Sequence, residues 1–264
     1  MINKESILKR VNKIDDKLLV SKAIDRATKS DNAGVMVHTD FYDPYQRNTI
    51  EKAFSNISGI NYTFNGGYGG AERMIAVFCP NYMPVEDLQD SDFPLKLVGI
   101  YPKSREILNH RDYLGSLMGL GIKREKIGDI LVKDDVCTVI VLEEIADYIR
   151  YNLSKVGNTR VDVLVRDLEA IQADSQKVRE IRSTVASLRL DSVASAGYGI
   201  SRSKIAEYIK GEKVNLNWET CSNAAKPVNE GDTLSIRGKG RVVLEKIIGT
   251  TKKDRISILL KKFV

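Results

Sequence analysis

The chain has 264 residues, 42% of them hydrophobic, and carries 41 Lys and Arg against 35 Asp and Glu, a formal charge of +6. That length can bury more than one core, and the sequence holds no run of eighteen apolar residues, so a membrane-spanning helix is not expected. Cys79, Cys137 and Cys221 are odd in number and far apart, and His38 and His110 are the only histidines, which argues against a disulfide frame or a structural zinc site and leaves no metal or cofactor to expect.

The opening MINKESILKRVNKIDD is charged, without the apolar segment and cleavage site of a signal peptide, so the cytoplasm is the expected location. Ile7, Leu8, Val11 and Ile14, then Leu18, Leu19, Ala23 and Ala27, follow helical spacing and predict one broken helix or a helix pair over residues 3–30. GVMVHTDF reads as a strand. FYDPYQRNTIEKAF reads as a helix with Asp43 as N-cap and Pro44 at its first position. INYTF and ERMIAVFCP read as two further strands, joined by NGGYGGA. That segment lacks G-x-G-x-x-G order and reads as a tight loop with positive φ rather than a phosphate cradle.

From residue 94 the pattern is regular: LKLVGIY, a helix at HRDYLGSLMGLG, strands IGDILV and CTVIVLE, a helix at EIADYIRYNLSKV, and strand TRVDVLV. The order βαββαβ is the ferredoxin-like plan. An RNA-recognition motif shares it, but stacks bases on strand aromatics that CTVIVLE lacks. His110-Arg111-Asp112 sits at a helix start and suits capping as well as acid–base work, and Lys123, Arg124 and Lys126 form a small basic loop. RDLEAIQADSQKVREIRSTVASL then reads as a polar helix or linker to the basic module. The expected class is α+β: an N-terminal α/β unit at 1–82, a ferredoxin-like domain at 83–170, a linker helix at 171–187 and a C-terminal module of two helices and a small antiparallel sheet at 188–264.

Charge is concentrated in that module. Residues 181–264 hold 16 Lys and Arg against 8 Asp and Glu, whereas residues 1–180 hold 25 against 27. A basic segment beside a near-neutral body is the pattern of a polyanion-binding module, although basic proteins without one are common. In GYGISRSKIAEYIKGEKVNLNW, Ser201 is the expected N-cap, with Ile200 and Ile205 as a hydrophobic staple. Arg202 and Lys204 then fall in the first helical turn, where a cation costs about 0.3–1 kcal/mol against the macrodipole. A bound phosphate would remove that cost.

The elements Arg189-Leu190-Asp191, Ser201-Arg202, Lys210, Val214 to Asn217 and Gly231-Asp232 resemble the S4-type RNA-binding domain over residues 188–245. Two positions depart from the pattern, with Glu212 and Trp218 standing where glycine is usual; Glu212 also brings an acid to the expected RNA face. The stretches FYDPYQRNTIEKA, NGGYGGAER, LNHRDYLGSLMGLGIKREKIGDI and VNLNW extend the resemblance to nearly the whole chain, which is similar to the YlmH family. The resemblance implies a bacterial RNA-binding protein of the large ribosomal subunit. It further implies ribosome-associated quality control, on stalled subunits that still hold peptidyl-tRNA. The expected partner is large-subunit ribosomal RNA, met by a monomer, with direct contact to peptidyl-tRNA left open.

The expected RNA-binding residues are Arg202 and Lys204 beside Ser201, flanked by Arg189, Lys210 and Lys213, with Asn215 and Asn217 on the strand and Lys239 and Arg241 in RGKGR. Strand alternation lets only one face of Val214 to Asn217 meet the RNA. An RNA-modifying enzyme of pseudouridine synthase or methyltransferase type is the alternative, but residues 1–180 carry no methyl-donor loop or catalytic-Asp motif, and no nucleotide-binding motif of a tyrosyl-tRNA synthetase. An adaptor, with the ferredoxin-like domain recruiting a protein, is compatible with RNA binding.

Overall fold

The computed structural model describes residues 3–55, 57–104, 106–133, 136–168, 178–251 and 253–263. The chain divides into two compact units, Met1–Gln172 and Ala173–Val264. The N-terminal α/β region and the ferredoxin-like domain therefore share one unit.

In the first unit the helical spacing near the N-terminus resolves as a pair, α1 (Lys4–Leu8) and α2 (Ile14–Ala33). Strand β1 (Val37–Tyr42) leads to α3 (Pro44–Phe54). There Asp43 accepts from the Gln46 N–H at 2.8 Å and the Gln46 side chain accepts from the Asp43 N–H at 2.9 Å. This reciprocal box satisfies two helix-end donors at once. Strands β2 (Asn61–Asn65) and β3 (Met74–Cys79) complete an antiparallel sheet in the order β1-β3-β2.

The ferredoxin-like part contributes β4 (Leu95–Pro102), α4 (His110–Gly119), β5 (Ile127–Lys133), β6 (Val136–Leu142), α5 (Glu143–Asn152), β7 (Lys155–Val156) and β8 (Thr159–Arg166). Its sheet runs β5-β6-β4-β8-β7 with every pairing antiparallel, which is the split-βαβ arrangement with one added strand. At the start of α4, Asn109 is the cap and Asp112 returns the bond, so Asp112 of His110-Arg111-Asp112 has a capping role.

Strand alternation arranges this unit in four layers. One face of the three-stranded sheet lies under α2 and α3, with Ile24, Ile50 and Phe54 packed on Ala76 and Phe78. Its other face places Phe41, Ile75 and Val77 against Leu95, Leu97, Ile140 and Leu142 of the larger sheet. The far side of that larger sheet, with Val98, Ile100 and Val139, is covered by Tyr113 and Leu117 of α4 and Ile149 of α5. The strand face that an RNA-recognition motif leaves open is thus buried here. The two sheets meet closely at Gly128, where a Cβ would stand 2.7 Å from the Phe41 ring.

In the second unit, β9 (Val178–Val185) precedes α6 (Leu190–Tyr198) and α7 (Arg202–Lys210). Strands β10 (Val214–Leu216), β11 (Glu219–Thr220), β12 (Thr233–Ile236), β13 (Gly240–Thr250) and β14 (Ile256–Phe263) follow. The sheet runs β11-β10-β12-β13-β14-β9, all antiparallel. Both helices pack on one face, with Leu190, Val193, Ile205 and Ile209 against Val214, Leu234, Val242 and Leu260.

One expectation is corrected. Residues 178–185 of the predicted linker helix form an edge strand paired with β14 along its whole length, and residues 169–177 lie outside the described residues. Ile181, Ser183 and Val185 alternate inward with exposed Arg182 and Thr184, a period of two. The polar composition suggested a solvated helix, but eight residues docked on an open strand bury one side and gain a full ladder of backbone hydrogen bonds.

Candidate nucleic-acid interface

Helix α6 starts at Arg189, and its first N–H groups are already used: Leu190 donates to the Lys226 carbonyl at 2.9 Å and Asp191 to the Ala224 carbonyl at 3.1 Å. Helix α7 starts differently. Ser201 Oγ accepts from the Lys204 N–H at 3.4 Å and lies 3.1 Å from Ser203 Oγ. The N–H groups of Arg202 and Ser203 carry no partner among the described residues. Ser201 is the N-cap the sequence predicts, its hydroxyl shared between capping and Ser203.

One cation of that turn, Arg202, has a partner the sequence reading did not assign. Asp191, in the first turn of α6, is buried. Its carboxylate accepts Arg202 Nη2 at 2.5 Å and Arg189 Nε at 3.3 Å. Burial by itself would raise the Asp191 pKa, but the hydrogen bonds and charges of the two arginines outweigh it and hold the group below its ordinary value. Arg202 and Arg189 keep 51% and 45% of their side-chain surfaces exposed. Asp191 therefore fixes one edge of each guanidinium and leaves the rest open to a ligand.

Beyond this pair, Lys204 is exposed, and Tyr208 stands one turn further along α7. Lys239, from the β12–β13 hairpin, sits over the Tyr208 ring at 5.9 Å. Lys213 and Arg237 are exposed and adjoin each other, since the Arg237 N–H donates to the Lys213 carbonyl at 3.1 Å. Lys210 is exposed in the last turn of α7, where its charge also suits the macrodipole. These residues form a basic strip along α7 and the RGKGR hairpin, with an aromatic ring in it.

The remaining predicted residues lie elsewhere. Asn215 faces away from the helices, in a cross-strand row with Ser235 and Arg241, and its Oδ1 accepts from Thr220 at 3.2 Å. Arg241 stacks its guanidinium 4.0 Å from the Phe263 ring. Asn217 is committed to the fold: its amide donates to Asp232 at 2.7 Å and accepts from the Thr233 N–H at 2.9 Å. The predicted set thus divides between the helix side and the opposite sheet face, with Asn217 in neither. Asp191, Tyr208 and Arg237 belong to the helix-side strip and were not in the predicted set; Asp191 is the one acid inside the Arg-Leu-Asp element and could have been read as a tether for its neighbours.

The two departures from glycine keep the glycine geometry. Glu212 has φ 54°, and its N–H bonds Ile209 while that of Lys213 reaches Tyr208, which is the Schellman closure of α7. Asn217 and Trp218 have φ 52° and 64° and form the two-residue turn between β10 and β11, with Leu216 opposite Glu219. Two positive φ values are what a type I′ hairpin requires.

Comparison with known proteins agrees with this architecture. Residues 15–83 match the domain "YlmH, N-terminal", residues 89–170 the "Putative RNA-binding domain in YlmH", and residues 188–234 the "S4 domain". A curated relative, "Ribosome-associated protein quality control protein P2" of Bacillus subtilis, is 34% identical over 249 residues, covering 94% of this chain and 95% of its own. A solved structure, "Cell division protein ylmH from Streptococcus pneumoniae", is similar in fold at a TM-score of 0.51 and 21% identity, over 59% of this chain and 93% of its own. With its N-terminal, central and S4 domains in the same order and a relative matched over almost its full length, the chain belongs to the YlmH family.

Proposed function

We propose that the chain binds structured ribosomal RNA of the large subunit through the helix-side strip of its S4 domain, and acts in ribosome-associated quality control of stalled nascent chains. The observation that carries this reading is the Arg189–Asp191–Arg202 cluster. A buried carboxylate holds two half-exposed guanidiniums at the open N-terminus of α7, which also carries Lys204, with Lys239 over Tyr208 further along the helix. Guanidiniums fixed along one edge meet phosphate oxygens without first losing their rotamer freedom. The name of the Bacillus subtilis relative supports the quality-control context. Phosphate contacts position a protein on RNA without reading sequence, so specificity on this reading comes from RNA shape. The protein works in the cytoplasm as a monomer, close to the peptidyl-tRNA on the subunit.

Co-sedimentation with purified large subunits over a range of salt concentrations tests the reading. Wild type should pellet with the subunit at low salt and be released steeply as salt rises, because each phosphate contact displaces counterions. A folded Arg202→Glu, Lys204→Glu variant should remain in the supernatant. Equal pelleting of variant and wild type would show that the strip is not the interface.

A further inference from the structure

Three stretches that carry the family resemblance, FYDPYQ, NGGYGGAER and KREKIGD, have no part in the S4 interface. In the first unit they converge. The loop between β2 and β3 is tied to β5 through Asp129: Tyr68 Oη and the Glu72 N–H donate to Oδ2 at 2.8 and 2.7 Å, and the Arg73 N–H donates to Oδ1 at 3.1 Å. Arg73 then spans the two sheets, donating from Nε to the Ile127 carbonyl at 3.0 Å and from Nη2 to the Phe41 carbonyl at 3.1 Å. Arg124 reaches the same carbonyl, with Nη1 donating to Ile127 O at 2.5 Å and to the Gly128 carbonyl at 3.2 Å.

Sharing one carbonyl puts Arg73 Nε and Arg124 Nη1 within about 5.5 Å of each other. Both side chains are partly buried, and both line a groove of about 530 Å³ between α2, the end of β1 and the 124–125 turn. Neither forms a salt bridge among the described residues. The acids Asp129, Asp43 and Asp40 each hold another partner as well, and the charges of Asp43, Asp129 and Glu125 offset part of the burial cost at Arg73. Asp129 accepts from Tyr68 and two backbone N–H groups, Asp43 caps α3, and Asp40 pairs with Lys126 at 2.7 Å. Asp15, Glu125, Lys22 and Arg26 line the same groove. Burial lowers the pKa of both arginines, that of Arg124 to about 10 with the Arg73 charge adding to the effect, while Asp43, Asp129 and Glu125 oppose it at Arg73 and Asp129 opposes it at Arg124. The two guanidiniums repel each other at this separation, and an anion bound between them would relieve the part of that cost the neighbouring acids leave.

We propose that this groove is a phosphate-binding site, with Arg73 and Arg124 gripping one phosphate group from its two sides and Lys22 and Arg26 at its rim. Arg73 Nη1 and Arg124 Nε and Nη2 have no hydrogen-bond partner among the described residues. The groove is large enough for a nucleotide as well as a free ion, and a groove open to solvent also admits a strand. The shared chemistry is a phosphate, supplied either by a mononucleotide or by a phosphodiester of single-stranded RNA.

The test is NMR of the arginine side-chain Nε–Hε signals in the full chain, titrated separately with inorganic phosphate, AMP and hexauridylate. It is carried out in the Arg202→Glu, Lys204→Glu background so that the S4 interface does not contribute. The Arg73 and Arg124 signals should move saturably with AMP or hexauridylate. Tighter binding of hexauridylate identifies an RNA strand as the source, and equal or tighter binding of AMP a mononucleotide. Arg124→Gln should weaken binding at least fivefold. Because Arg124 also anchors two carbonyls, the Lys22→Ala, Arg26→Ala variant, altered only at exposed positions of α2, provides the second measurement and should weaken binding at least twofold. Arg73 and Arg124 signals that stay unmoved by all three probes overturn the proposal, whatever the outcome at the S4 domain, and so does unchanged affinity in the Lys22→Ala, Arg26→Ala variant.

Discussion

Replacing Asp191 by Asn removes the charge that organises the S4 strip while preserving its shape. The wild-type carboxylate has a side chain only 10% exposed, with Arg202 at 2.5 Å and Arg189 at 3.3 Å. Breaking a fully buried ion pair costs about 3–5 kcal/mol, and a hydrogen bond to a charged group contributes about 1.5–3 kcal/mol. Here both guanidiniums are about half exposed and can rehydrate, and the longer bond is weak, so the expected loss is about 2 kcal/mol. Urea unfolding followed by fluorescence measures it directly, because Trp218, the single tryptophan, lies in this unit. With a slope of about 2 kcal/mol per molar urea, the midpoint should fall by about 1 M with the slope unchanged. A double-mutant cycle with Arg202→Gln should give a coupling of about 1 kcal/mol. The pH dependence has a definite sign. The folded Asp191 pKa lies below its ordinary value of 3.8, so in acid the unfolded chain binds more protons than the folded one. The contribution is complete above the unfolded value and is lost as pH falls through the folded value, a loss the Asn variant does not show. A variant within 0.5 kcal/mol of wild type, or an additive cycle, would refute the tether.

Three further outcomes are expected. Glu212→Gly should raise the urea midpoint by an amount worth about 0.5–1 kcal/mol, since glycine removes the cost of a left-handed residue at φ 54° while loosening the unfolded chain; a lower midpoint would mean the Glu212 side chain stabilises the turn by more than its strain. Gly128→Ala should lower the thermal stability of the first unit by about 1–3 kcal/mol, because the new Cβ would stand 2.7 Å from the Phe41 ring and 3.1 Å from the Ile140 carbonyl, and thermal melts followed by circular dichroism that match wild type would contradict that packing. His110→Gln should flatten the stability profile below pH 6.5. Burial, then the Arg124 charge, lowers the folded His110 pKa, so its contribution is present above the ordinary value of 6.5 and lost as pH falls through the folded value. A thermal melting profile between pH 5 and 7 that is no flatter in the variant would remove His110 as the cause.

Much of this protein was legible because its signals are local. The Asp43-Pro44 start of α3, the short apolar strand runs between Leu95 and Arg166 and the cap at Ser201 each depend on residues within a turn or two of one another. The same holds for the S4 elements, whose spacing marks the family before any contact is known. The polar strand β9 was misread because its periodicity runs over only three inward positions and because its partner, β14, lies some seventy residues further on. The NGGYGGA segment was legible as a loop with positive φ, as Gly67 and Gly70 at φ 85° and 89° bear out, but not as a ligand of Asp129, 57 residues beyond Glu72.

The sequence by itself determined the element order, the caps, the S4 pattern and the concentration of positive charge in the last third. All of these follow from neighbours along the chain and from composition. Only the tertiary structure decided which of those charges can act together. Arg202 is tethered because α6 brings Asp191 within 2.5 Å of it, and Asn217 is withdrawn because Asp232 and Thr233 claim its amide. Arg73 and Arg124 share the Ile127 carbonyl because two sheets stack face to face. A charge's chemistry is set by what lies within a few ångströms, and in a folded chain those neighbours are mostly remote in sequence.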